Sequence, residues 1–115
     1  MSDLRQMTEK VILFRDERDW LQFHNPKDMA LSLCLEAAEL LEHFQWKTPE
    51  QVNAHVISHK EDLADELADV ACYLLELSAN LGIDLSQAIE NKLKKNALKY
   101  PVEKAKGRIT KYNQL

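Results

Sequence analysis

The sequence predicts an all-α protein with an antiparallel four-helix core and a short extra helix. Apolar residues recur at helical spacing over four segments, and capping residues stand where those segments begin. Two glycines and three prolines are too few for the many tight turns of an all-β chain. With 115 residues the chain reads as a single domain, residues 1–115, near the small end of what folds on one core.

The first helix is expected over residues 4–20. Met7, Val11, Phe14 and Arg18 share one side, and Leu4, Ile12 and Leu13 widen the stripe. A connector over residues 21–25 ends at Asn25, an N-cap; Pro26 fits the first helical position and Asp28 falls in the electropositive first turn. The second helix runs to about Trp46 and packs through Leu33, Ala37, Leu40, Leu41 and Phe44. Thr48, Pro49 and Gln51 repeat the start signal for a short helix near residues 49–56. Ser58 and Glu61 have capping-box spacing and open the third main helix. That helix is apolar at Leu63, Leu67, Val70, Leu74 and Leu77, and Gly82 ends it. Asp84 caps a fourth helix over residues 85–99, which Pro101 stops. Residues 102–115 form a polar C-terminal tail with Gly107 as a turn.

No run approaches the roughly 20 apolar residues of a membrane span, and the first ten residues lack the apolar core of a signal peptide. Cys34 and Cys72 each lie in an apolar helical run and read as buried thiols, not a disulfide. A cytoplasmic protein is expected. The net charge of −4 hides an asymmetry: residues 1–82 carry 16 acidic and 7 basic side chains, residues 83–115 carry 3 and 8. This is either ordinary solvated surface or a division of labour, in which an acidic part holds cations and a basic part meets phosphate oxygens. The basic residues are not interleaved with stacking aromatics, so no nucleic-acid partner is expected.

Two acidic pairs stand out, Glu36/Glu39 and Glu66/Asp69. Each has i,i+3 spacing inside an apolar run, and 26 residues separate the pairs. At 3.6 residues per turn, each pair presents both carboxylates on one side of its helix. A single such pair says little; Glu39/Glu42 and Asp62/Asp65 have the same spacing and read as solvated. Four carboxylates beside a packing seam repel one another unless cations join them. The pattern therefore points to Mg2+, with Mn2+ as a substitute, and to a phosphorylated substrate. A di-iron bundle would place histidine three residues beyond each glutamate, where this chain has Glu39 and Asp69. His55 and His59 read as surface histidines, and zinc on Cys34 and Cys72 would lack local ligands.

The chain resembles the MazG-like family of all-α nucleoside triphosphate pyrophosphohydrolases. The resemblance begins with Glu17-Arg18-Asp19-Trp20 and Gln22-Phe23-His24, and continues through Leu35-Glu36-Ala37-Ala38-Glu39-Leu40 and Phe44-Gln45-Trp46-Lys47. It then includes Glu66-Leu67-Ala68-Asp69-Val70, the run from Lys92 to Pro101, and Gly107-Arg108-Ile109-Thr110-Lys111-Tyr112. Phe23-His24 and the Phe44–Lys47 run look most like the dCTP pyrophosphatase branch. The resemblance implies Mg2+-dependent cleavage between the α- and β-phosphorus atoms, homo-oligomerisation as dimer or tetramer, and a house-cleaning role against surplus or modified nucleotides.

On that reading Glu36, Glu39, Glu66 and Asp69 are the metal ligands and catalytic carboxylates. Glu39 is the first choice to orient or deprotonate the attacking water, although ligand and base are not separable from the sequence. Lys92, Lys95 and Lys99 share one side of the fourth helix and would follow the outer phosphates, with Asn96 offering an amide and Tyr100 a hydroxyl. Trp20, Phe23 and Trp46 are candidates for the flat faces of a base slot, and His24 for its polar edge. A second subunit would complete that slot. Two alternatives stand beside this reading: broad specificity for deoxynucleoside triphosphates, and a helical binding module without turnover.

Overall fold

The computed structural model describes residues 3–115, and every regular element among them is helical. Helix α1 (Leu4–Glu17) starts in a capping box between Asp3 and Gln6. It is three residues shorter than the periodicity predicts. The amides of Arg18 and Trp20 both turn back onto the Arg15 carbonyl, and Asp19 adopts a left-handed φ of 56°. Gln22 donates to the Asp19 carbonyl and carboxylate, which holds the chain in a one-turn 3-10 helix, Leu21–Phe23.

Helix α2 (Pro26–Glu42) starts as expected, with Asn25 Oδ1 accepting from the Asp28 amide at 2.9 Å. It does not reach Trp46. Residues 43–46 close as turns, and Trp46 takes a left-handed φ of 62° that no regular helix contains. Helix α3 (Pro49–Ser58) has the Thr48–Gln51 capping box. Helix α4 (Lys60–Asn80) lacks the expected one. Ser58 is the last residue of α3; its hydroxyl reaches the His55 carbonyl and the His59 ring, and His59 stands at the N-cap without a side-chain cap. Gly82 follows at φ 70°, a conformation that costs glycine no Cβ clash. Helix α5 (Leu85–Lys99) matches its prediction, with Asp84 accepting from Gln87. The tail carries more order than expected, with α6 (Val102–Ala105) and a 3-10 turn at Tyr112–Gln114.

Two compact units result, one ending at Gly82 and one formed by Ile83–Leu115. In the first, α4 is the hub, packing most extensively on α2, then on α1 and α3. In the second, Tyr100 and Tyr112 meet edge to face at 6.1 Å, and the Lys99 ammonium lies 4.8 Å from the Tyr112 ring centre. No helix among the described residues is long and apolar enough to cross a membrane.

The apolar core is small: Met29, Leu63 and Leu75 are its buried members. The helical stripes place Leu67 and Leu74 of α4 and Leu41 of α2 in that core, but all three are exposed. Phe14 and Leu13 of α1 are exposed as well, while Arg15 is buried and reaches the polar end of α4. A helix in a unit this small has partners around only part of its circumference, so apolar residues at its edges stay open. The same reason corrects the expectation for Cys34 and Cys72, which are free and exposed.

Candidate active site

The i,i+3 pair on α2 faces α4, the helix with which α2 packs most closely. Glu36, Glu39 and Glu66 thereby bring carboxylate oxygens within 4.8 Å of one another. Asp69, one turn beyond Glu66, lies outside that tight trio, but its charge acts on both Glu36 and Glu66. One oxygen of Glu36 and one of Glu66, Oε2 in each, are buried without a hydrogen-bond partner. Loss of solvent, the contact with Glu39, and the charges of Glu39, Asp69 and Glu66 push the Glu36 carboxyl up to about 7. Burial likewise raises Glu66, aided by Glu39 and Asp69 and partly offset by His43. Buried acceptors without donors, all of them oxygen, suit a hard divalent cation better than a proton-sharing surface patch.

Beside the trio lies a cavity of about 440 Å³ between α1 and α4. Met7, Val11, Phe14, Trp20 and Tyr73 supply its apolar wall, and Asp69 joins it to the carboxylates. Trp20 meets Phe14 edge to face at 5.9 Å and stands 6.2 Å from His24. Cys72 also lines this wall; its thiol reaches solvent there, yet burial and Asp69 raise its pKa.

Two turns along α4 from Asp69 the lining becomes polar. Glu76, only 3% exposed, accepts from His24 Nδ1 at 2.8 and 2.9 Å and from Asn80 Nδ2 at 3.2 Å. The Arg15 guanidinium lies 3.7 Å from the same carboxylate and donates to Asn80 Oδ1 at 2.9 Å. Sequence reasoning picked out His24 but missed Arg15, Glu76 and Asn80. The available signal was the spacing: Glu66, Asp69, Tyr73 and Glu76 repeat at three and four, one continuous face of α4.

The structure brings Trp20, His24 and Asp69 to one cavity. Phe23 and Trp46 are not in its wall; Phe23 is exposed and Trp46 is 92% exposed. His55 is not the free surface histidine expected from its position. It is half-buried, bonded to His43 Nδ1 at 2.8 Å and stacked on His59 at 4.1 Å, beside a polar hollow that includes Glu39, Glu66 and Lys47. Desolvation, helped by His59, Lys47 and His43, lowers its pKa. In the second unit Lys92, Lys95 and Lys99 are exposed on α5, Asn96 is half-buried, and the Tyr100 amide caps the helix on the Asn96 carbonyl.

Fold and site together define a class: an all-α protein that draws acidic side chains from two helices to the rim of an apolar cavity. The chain belongs to the MazG-like family, whose profile matches residues 31–115. Along its whole length it is 38% identical to dCTP pyrophosphatase 1 of Bos taurus and of Homo sapiens, spanning 68% and 67% of those proteins. It is also similar to the crystal structure of a pyrophosphatase from Archaeoglobus fulgidus, with a TM-score of 0.81 and 36% identity over 88% of this chain and 94% of that one.

Proposed function

We propose that this MazG-like nucleotide pyrophosphohydrolase cleaves dCTP or a related deoxynucleoside triphosphate, modified ones included, to the monophosphate and pyrophosphate. The observation that carries the reading is the junction at Asp69: carboxylates with partnerless buried oxygens on one side, a largely apolar cavity with room for a nucleobase on the other. The names of the similar proteins support the same chemistry.

Glu36, Glu39 and Glu66, with Asp69 beside them, would hold Mg2+ or, in its place, Mn2+. When bound, such ions neutralise phosphate oxygens and make a water more acidic. Glu39 then orients the attacking water or takes its proton. Trp20 stacks on the base inside the cavity, His24 meets its edge, and Phe23 closes the rim. Lys92, Lys95 and Lys99, with Asn96 and Tyr100, receive the role of phosphate-binding residues on the strength of their basic helix face.

The protein acts as a homo-oligomer in this reading. Leu31, Leu35, Leu41 and Leu67 are each more than half exposed, an apolar excess for so small a chain. Trp46, left bare by its own subunit, is offered to the base site of a second copy. House-cleaning of cytoplasmic nucleotide pools fits this activity.

Product analysis of a nucleotide panel incubated with Mg2+ tests the proposal. Monophosphate plus pyrophosphate, formed fastest from dCTP, is the expected result. Diphosphate plus phosphate would contradict the cleavage position; equal rates on all bases would contradict the preference; no turnover would leave a binding module.

A further inference from the structure

We propose that Glu76, a residue outside the carboxylate trio, sets the base preference of the cavity by fixing the tautomer of His24. The inference rests on the reading that this cavity takes the nucleobase.

Glu76 is buried, with Arg15 beside it and Asn80 donating to it. Arg15, Asn80 and His24 are the groups beside this carboxylate, and each carries an N–H to donate. An ionised carboxylate only accepts hydrogen bonds, so in the 2.8 Å contact His24 Nδ1 must be the donor. In a neutral imidazole, a proton on Nδ1 leaves Nε2 as an acceptor. Among the described residues Nε2 of His24 has no hydrogen-bond partner, and His24 lines the cavity. With that ring neutral, the cavity offers a bare, oriented acceptor next to the Trp20 ring.

That acceptor distinguishes pyrimidines by the group at position 4. Cytosine carries an amino donor there, whereas uracil and thymine carry a carbonyl acceptor. An amino-bearing base pairs with Nε2; an oxo-bearing base sets two acceptors against each other and strands both. Glu76, only 3% exposed, acts through His24 as a positioning residue. The Arg15 and Asn80 contacts also explain why the device does not slide. Both meet Oε2, which His24 Nδ1 also meets at 2.8 Å, while Oε1 is contacted by His24 alone, at 2.9 Å.

Glu76→Gln is the informative variant. Arg15 and Asn80 are donors that meet Oε2 and keep the new amide's oxygen there, which puts its NH2 group at the Oε1 position, where His24 is the contact. Nδ1 is then no longer bound to donate: it gains a donor to accept from, the ring proton is released to Nε2, and in that tautomer the cavity presents a donor. The ratio of kcat/KM for dCTP over dUTP should fall on the order of ten- to a hundredfold, through loss with dCTP and gain with dUTP. Loss of packing alone would lower both rates and leave their ratio unchanged, and Glu76→Asp should restore the original order. Long-range 15N–1H correlation spectra of the labelled wild-type protein provide a test that needs no variant. They should show the Nδ1–H tautomer of His24; an Nε2–H or doubly protonated ring overturns the inference.

Trp20→Ala separates this inference from the reading beneath it. If that variant weakens dCTP and inorganic triphosphate equally, the cavity is not the base site and both fall. If it weakens dCTP selectively while Glu76→Gln keeps the wild-type ratio, only the role of Glu76 falls, and the network is a structural clamp.

Discussion

Glu36 on α2 and Glu66 on α4 are joined through Glu39, and each holds one buried oxygen without a hydrogen-bond partner. Thirty positions apart in sequence, they become neighbours because α2 and α4 form the most extensive packing pair of the first unit. A stable fold would gain from replacing such acids with carbon, so their presence argues for a ligand that needs them.

Glu39→Gln should nearly abolish pyrophosphate release while leaving a folded helical protein. The amide keeps the shape of the side chain and removes the charge that would bind the cation and the water. Thermal unfolding gives a second readout. Mg2+ at about a hundred times its Kd should stabilise the wild type by roughly 2.7 kcal/mol and the variant far less. A variant with full activity and an unchanged Mg2+ response would falsify the metal assignment.

The raised pKa of Glu36 fixes the sign of a pH effect. Between its ordinary value of 4.5 and about 7, the folded protein holds a proton that the unfolded chain has released. Stability of the metal-free protein must therefore fall as pH rises through that window, because protons favour the folded state there. Glu66, shifted in the same direction, adds to the slope. Glu36→Gln removes its share, so the variant's denaturation midpoint should vary less between pH 4.5 and 7. A midpoint that climbs with pH in the metal-free wild type would contradict the shift. Cation binding must expel the same proton, so its affinity should rise with pH over the same interval.

Much of this was legible locally. Asn25, Thr48 and Asp84 each cap the helix they announce, because an N-cap is a bond between residues three apart. The acidic pairs were legible too, since i,i+3 spacing fixes a shared face. What local rules miss depends on which neighbour wins. Ser58 has capping-box spacing to Glu61, yet its hydroxyl goes to His55 and His59. Leu67 and Leu74 fit the stripe, but its edge has no partner in the unit. Glu76 reads in the sequence as one more helix acid. Its meaning comes from Arg15 and His24, which reach it from 61 and 52 positions away in sequence.

Lys99→Ala should weaken triphosphate binding more than monophosphate binding, because a cation aimed at the outer phosphates has no partner once they are absent. Lys99 already lies over the Tyr112 ring, a contact that is worth roughly 0.5–1 kcal/mol at an exposed site. Titration calorimetry with a non-hydrolysable triphosphate and its monophosphate separates the two roles. Equal losses for both ligands would leave Lys99 as a brace for the tail, with Lys92 and Lys95 as the remaining phosphate candidates.

Trp46 combines a backbone that bulky residues avoid with a ring almost wholly in solvent. For an L-residue the left-handed conformation costs roughly 1–2 kcal/mol, and an exposed ring offers no packing to offset it. Strain of this kind tends to persist where function requires the residue. Trp46→Gly should therefore leave the subunit as stable as before, or stabilise it by up to about 1 kcal/mol, since glycine accepts that φ freely. Affinity for the preferred nucleotide should fall by roughly 1–3 kcal/mol, the range of base–aromatic stacking, with little change for inorganic triphosphate, which has no ring. Thermal unfolding and competition binding measure the two effects separately. A destabilised Trp46→Gly with unaltered base affinity would make Trp46 a packing residue and leave base recognition to Trp20, already in the cavity wall.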